Sequence, residues 1–181
     1  MEISMYLAGV GGQGMQSAGK SLIELAAAAG YEVTYSPLYT FEKRGGLSSC
    51  YVVVSDKSIG SPRKEKHDIL IAMNQNTYET NRDAVKPGGT LVVNTSQVPD
   101  YDKEQEGIHV VGVPFLELAA EAGDTKVISS IALGYLVEKC GLFPSSESVC
   151  EAALAKLKAK KAALYEMNVK AFHMGVEAAK Q

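Results

Sequence analysis

The chain has 181 residues, 46% hydrophobic and 22% charged, with 17 glycines and a formal net charge of −3. That is enough apolar material for one core and too little net charge for an unfolded chain or an electrostatic nucleic-acid binder. The charge is unevenly placed: residues 1–150 carry 12 Lys and Arg against 18 Asp and Glu, a net of −6, whereas residues 151–181 carry 6 against 3, a net of +3.

In chain order, the first apolar, β-branched run is Ser4–Val10, read as a buried strand. It leads into Gly9-Val10-Gly11-Gly12-Gln13-Gly14, after which Met15, Ala18, Leu22, Leu25, Ala26 and Ala29 fall at helical spacing and Gly30 stands where a helix ends. A second strand, Glu32–Ser36, completes a β-α-β unit. The stretch Ser36–Ser49 reads as a polar loop containing Arg44-Gly45-Gly46, long enough to be functional. Strands follow at Cys50–Ser55 and Asp68–Met73. Gln75–Val85 reads as a helix ended by the turn signal Lys86-Pro87-Gly88-Gly89, which leads into strands Thr90–Asn94 and Ile108–Val113. Thr125–Cys140 and Ser146–Ala179 read as helices. The last is long enough for part of it to project onto another subunit. Alternating strands and helices predict a single α/β, Rossmann-like sandwich over residues 1–181, with a mainly parallel sheet and a long C-terminal helix.

The three cysteines, Cys50, Cys140 and Cys150, form no C-x-x-C pair and none of the spacings that hold zinc or an iron–sulfur cluster, so any such cluster is expected on another chain. No stretch approaches the ~18 apolar residues of a membrane span, and the first residues lack a secretory-leader pattern. A cytoplasmic protein with buried, reduced thiols is expected. Lys156, Lys158, Lys160 and Lys161 in the basic tail form either the solvated face of a helix or a docking surface for an acidic partner.

Gly9–Gly14 is a G-x-G-x-x-G directly after a strand and before a helix. Its glycines permit positive φ and let backbone N–H groups approach an anion at a helix N-terminus. A dinucleotide site also wants an acidic residue at the end of the second strand, where this chain has Tyr35-Ser36-Pro37. The overlapping Gly14–Ser21 stretch satisfies the phosphate-loop pattern G-x-x-x-x-G-K-[ST], with Lys20 as the phosphate lysine, but Met15, Ala18 and Leu22 already belong to the helical stripe. No strand ends in an aspartate suited to magnesium. Arg44 offers a planar fork for carboxylate or phosphate, with Gly45 and Gly46 leaving room for close approach. His67, His109 and His173 are dispersed, no serine sits in a nucleophile elbow, and no catalytic residue or metal ligand can be named.

Taken together, Gly9–Gly14, Arg44-Gly45-Gly46 with Ser48, Asp68–Ala72, Lys86-Pro87-Gly88-Gly89, and Asn168–Phe172 with Gly175 make the chain resemble the gamma subunit of 2-oxoacid:ferredoxin oxidoreductases. The likeness covers nearly the whole chain. It departs at Leu38–Lys43, where many members read Tyr-Gly-Pro-Glu-Ala, and near Ser129, where the family carries an asparagine. The resemblance implies a subunit without a self-contained active site, serving CoA-dependent oxidative decarboxylation of a 2-oxoacid to acyl-CoA. It implies alpha, beta and delta subunit partners that hold thiamine diphosphate, Mg and the iron–sulfur clusters, and ferredoxin as an indirect partner. CoA is the expected co-substrate, and Gly9, Gly11, Gly12, Gln13, Gly14, Arg44, Gly45 and Gly46 are the expected binding residues. The two readings that stand against it are a stand-alone nucleotide- or dinucleotide-binding enzyme and a purely structural interface subunit.

Overall fold

The apolar runs of the sequence become one six-stranded sheet: β1 (Glu2–Ala8), β2 (Glu32–Tyr39), β3 (Ser48–Ser55), β4 (His67–Ala72), β5 (Val85–Asn94) and β6 (His109–Val113), in the order β2-β3-β1-β4-β5-β6. The computed structural model describes residues 1–40, 46–158 and 161–181. β1, β4, β5 and β6 are mutually parallel, while β3 runs antiparallel between β1 and β2. The sheet is therefore mainly parallel, as its alternating elements predict. The first crossover, β1 to α1 (Met15–Ala28) to β2, leaves a gap that β3 fills.

Strict side-chain alternation sends Met5, Leu7, Cys50, Val52, Ile69, Ile71 and Val92 to one face and Tyr6, Ala8, Leu70, Leu91 and Val93 to the other. The first face is covered by α1, α3 (Phe115–Ala122), α4 (Ile128–Cys140), α5 (Ser146–Lys158) and α6 (Ala162–Ala179). The second is covered by Tyr78 of the short helix α2 (Gln75–Asn81) and by Val98 and Tyr101.

α4 is the hub of the helical layer. Ile128 and Ser130–Val137 are buried around its whole circumference, so it shows no amphipathic stripe. It lies between the sheet and α6, and two glycines set the separation. A Cβ on Gly134 would fall 2.0 Å from the Phe172 carbonyl oxygen, and one on Gly175 would fall 1.9 Å from that of Ile131. Beside this crossing, the Ser130 hydroxyl donates to Asn168 Oδ1 at 2.6 Å, and Asn168 Nδ2 donates to the Leu164 carbonyl at 2.7 Å. The closing segment Asn168–Gly175 is thus the contact surface of a very close helix pair.

Five sequence expectations need correction. The segment Ser146–Ala179 is two helices rather than one: Lys161, at φ −152° and ψ 88°, stands outside α6. α6, at 18 residues, is the long C-terminal helix, and α5 packs back against α6, α4 and α1. The reason is burial: Val149, Cys150 and Leu154 need a cover that a projecting helix would lack. The expected helix Gln75–Val85 stops at Asn81 and passes through a 3-10 turn, and Thr125–Val127 is likewise a 3-10 turn before α4. The Lys86-Pro87-Gly88-Gly89 signal does not separate helix from strand. It is an excursion within β5, where Val85 pairs with His67 and pairing resumes at Thr90 with Ile69. Lastly, Ser36–Tyr39 and Ser48–Ser49 of the expected loop are strand, since β2 and β3 stay paired out to Tyr39 and Ser48. Pro37 is tolerated there because β2 is an edge strand.

Among the described residues no helix is long and apolar enough to cross a membrane, and no group of three or more His, Cys, Asp and Glu could hold a metal ion.

Candidate functional site

The carboxyl ends of β1, β4 and β5 emerge on one edge of the sheet, where open α/β sheets place their ligands. The glycine loop leaves β1 at this edge and turns into α1. Gly14 is the N-cap of α1 in the left-handed region, at φ 75°, and Gly12 is also left-handed, at φ 92°. Both positions demand glycine.

The loop is tied down on the hairpin side. Ser48 N–H donates to the Gly9 carbonyl at 2.9 Å, Gly11 N–H to the Gly46 carbonyl at 3.1 Å, and Val10 bridges Leu47. The buried Ser49 hydroxyl accepts from Gly9 N–H at 3.1 Å. The sequence singled out Gly46 for clearance, and it is joined to the loop through its backbone. Arg44, Gly45 and Lys160 lie outside the described residues.

The glycines divide by role. Gly9 is buried, and a Cβ there would lie 3.0 Å from both Gln13 Oε1 and Met15 Cγ. Gly11 and Gly12 are exposed, with open space where a Cβ would stand. Among the described residues the N–H groups of Gly12 and Gly14 have no internal acceptor. Gly14 in turn lies against the first turn of α4: a Cβ on it would be 2.9 Å from Ser129 Cβ and 3.0 Å from Ser129 N. The positive ends of α1 and α4 therefore converge on the glycine loop, which favours a negatively charged group. Ser129 thereby lies in the wall of the candidate site.

Gln13 faces inward. It is 8% exposed and its carboxamide is fully committed. Oε1 accepts from Val10 N–H at 2.8 Å and from Asn74 Nδ2 at 3.2 Å, while Nε2 donates to Gln97 Oε1 at 2.8 Å and to the Met73 carbonyl at 3.4 Å. Asn94, fully buried at the end of β5, donates to the same Met73 carbonyl at 2.9 Å and accepts from Phe115 N–H at 3.2 Å. The sequence reading missed Asn74, Asn94 and Gln97. Their signal was a carboxamide at or just past the ends of β4 and β5, the two strands next in the sheet after β1, visible only once the strand order is known.

The competing phosphate-loop pattern is absorbed by helix. Met15–Ala28 is continuous, Lys20 is exposed on its outer side, and Gly19 packs on the sheet, where a Cβ would meet Cys50 Sγ at 2.6 Å. Such a helix cannot wrap a phosphate with those residues. The dinucleotide reading fails on strand order, because β3 separates β2 from β1 and β2 ends in Leu38-Tyr39. The exposed Tyr39 ring marks the lip of the hairpin beside the site. No thiol is poised for chemistry: burial pushes Cys50 and Cys140 up to about 12 and Cys150 to about 11.

The family model for pyruvate ferredoxin/flavodoxin oxidoreductase matches residues 4–178. The ketoisovalerate oxidoreductase subunit VorA of Methanothermobacter marburgensis is 32% identical over 180 residues, covering 99% of this chain and 37% of that relative. The chain thus spans little more than a third of that relative's length. A keto/oxoacid ferredoxin oxidoreductase gamma subunit from Geobacter sulfurreducens superposes with TM-score 0.81 at 27% identity, covering 99% of this chain and 97% of that one. The 2-oxoglutarate:ferredoxin oxidoreductase of Magnetococcus marinus, solved with 2-oxoglutarate, coenzyme A and succinyl-CoA bound, superposes with TM-score 0.84 at 26% identity, covering 99% of this chain and 31% of that chain.

Proposed function

This chain belongs to the pyruvate ferredoxin/flavodoxin oxidoreductase family, and we propose that it is the gamma subunit of a 2-oxoacid:ferredoxin oxidoreductase whose glycine loop receives the anionic end of coenzyme A. Residues 1–181 act as one gamma-type domain in a cytoplasmic complex. The alpha, beta and delta partners carry thiamine diphosphate, Mg and the iron–sulfur clusters. The complex converts a 2-oxoacid and CoA to an acyl-CoA and carbon dioxide and passes two electrons to ferredoxin.

The observation that carries this reading is the convergence at Gly14. Two helix N-termini meet where Gly11 and Gly12 are exposed and where the N–H groups of Gly12 and Gly14 have no internal acceptor among the described residues. Pyrophosphate and ribose phosphate are the parts of CoA that such a site suits. In the bound state Gly12 and Gly14 donate backbone hydrogen bonds, and Arg44 adds a bidentate cation. The chain's own task is to bind and orient CoA so that its thiol reaches the partner's active site. The missing side chains at Gly11 and Gly12 leave the anion free access to the backbone.

The test is recovery of the tagged chain from its host. Thiamine-enzyme subunits should co-purify, and the complex should reduce a dye only when both oxoacid and CoA are supplied. Gly12→Val should raise KM for CoA about tenfold or more by blocking the loop. Absence of those subunits, or dye reduction indifferent to CoA, overturns the reading. Calorimetry with NAD(H), FAD and Mg-ATP checks the stand-alone nucleotide-enzyme alternative, for which tight binding is required. An Arg44→Ala complex with unchanged KM for CoA would favour the purely structural alternative for the hairpin.

A further inference from the structure

We infer that Gln13 is a positioning residue, not a contact of the ligand, and that it sets CoA affinity by locking the glycine loop to the ends of β4 and β5. This rests on the CoA reading above and adds Gln97, Asn74 and Met73 to its machinery. The buried carboxamide of Gln13 makes four hydrogen bonds, and its partners come from three places in the chain. Val10 N–H belongs to the glycine loop itself. Met73 and Asn74 follow β4, and Gln97 follows β5. One side chain thus ties the loop to β4, the parallel neighbour of β1, and to β5, the next strand beyond it.

The bond from Val10 N–H decides the loop's shape. Together with the Gln13 N–H to Val10 carbonyl bond at 3.1 Å, it closes residues 10–13 into a tight turn around the Gln13 side chain. That turn places Gly12 between two fixed points, at positive φ, with its N–H left over for a ligand. Without the carboxamide, Val10 N–H and the buried Met73 carbonyl lose partners. The flanking glycines would then release the turn more readily than any other residue type. An anion would have to reorder the loop on binding, which weakens affinity without touching the chemistry.

Gln97 makes the arrangement testable, because it is exposed and meets Gln13 through a single hydrogen bond. If Gln97 acts through Gln13, removing it matters only while Gln13 is present.

The experiment uses the assembled complex and steady-state kinetics with CoA varied. Gln13→Met, which keeps volume and loses all four bonds, should raise KM for CoA about tenfold while kcat at saturating CoA and KM for the oxoacid stay within about twofold. Gln97→Ala should raise KM for CoA about two- to threefold with the melting temperature within about 1 °C of the parent, and should add nothing in the Gln13→Met background. The inference is overturned if Gln13→Met lowers the melting temperature but leaves KM for CoA unchanged, or if the Gln97 effect persists undiminished in the double variant. If Gly12→Val raises KM for CoA and Gln13→Met does not, this inference alone fails. If neither does, the CoA reading fails and this inference falls with it. If Gln13→Met prevents assembly, Gln97→Ala alone decides: an unchanged KM for CoA overturns the inference.

Discussion

Gly14 and Ser129 are in contact across the start of two helices, 115 positions apart in sequence, with no room for even one methyl group between them. The left-handed φ of 75° at Gly14 adds a second reason against any side chain there. Gly14→Ala should therefore destabilise the chain by about 2–4 kcal/mol, combining backbone strain with overpacking. Thermal and urea unfolding measure it. Ser129→Gly should relieve only part of that loss, since it removes the contact with Ser129 Cβ but leaves the Ser129 N at 3.0 Å and the backbone strain. Full recovery in the double variant would show that strain at Gly14 contributes nothing.

The α4–α6 crossing predicts a larger effect. At both Gly134 and Gly175 a Cβ would fall about 2 Å from a carbonyl oxygen of the facing helix, which neither rotamer change nor small backbone shifts absorb. Gly134→Ala and Gly175→Ala should each cost about 3 kcal/mol or more, because the helices must move apart and open the core around Phe172 and Ile131. Near-parent melting temperatures for either variant would contradict this packing.

His67 predicts a pH dependence. It is 2% exposed, packed against the stacked pair Tyr6–Tyr51, and its Nδ1 has no partner among the described residues. Burial, reinforced by the nearby Lys86 ammonium and partly offset by Asp68, depresses its pKa to about 4. A depressed imidazole is neutral in the folded chain and takes up a proton on unfolding below about 6.5. Its stabilising contribution is then complete above about pH 6.5 and is lost as pH falls from 6.5 towards 4, a change of order 3 kcal/mol. His67→Phe should flatten the stability–pH curve in that window. Asp68 acts at lower pH. Its burial opposes ionisation, but hydrogen bonds from Lys86 and Ser4 outweigh that and hold its pKa below the ordinary value. Its contribution is present above the normal carboxylate range and is lost as pH falls through the depressed value.

The thiols should be inert. Burial raises Cys50 and Cys140 to about 12 and Cys150 to about 11, so thiolate is scarce at neutral pH. Reaction with a thiol reagent should be slow for the folded chain and should rise to three equivalents on denaturation. Fast labelling of any one cysteine in the native state would place it elsewhere than in this core.

Much of this protein was written locally. The apolar runs Ser4–Val10 and Cys50–Ser55, the stripe Met15–Ala26, and Gly30 just past α1 are short-range patterns, and each specifies an element by its own composition, periodicity or φ requirement. The family likeness of Gly9–Gly14 and Asn168–Gly175 was legible for the same reason: those glycines are needed wherever the chain turns or packs most closely. The sequence by itself thus determined an α/β domain with a mainly parallel sheet and an exposed glycine loop. Only the tertiary structure decided the rest. It broke Ser146–Ala179 into two helices, because Val149, Cys150 and Leu154 gain a cover only by folding back. It put β3 between β1 and β2, which removes the dinucleotide geometry, and it turned Gln13 inward to meet Asn74 and Gln97. Those outcomes depend on contacts beyond the local pattern, 43 to 53 positions apart for β1 with β3 and 61 and 84 positions for Gln13 with Asn74 and Gln97. Spacing along a chain carries no record of such contacts, since the burial and hydrogen bonding that select them exist only after the sheet has assembled.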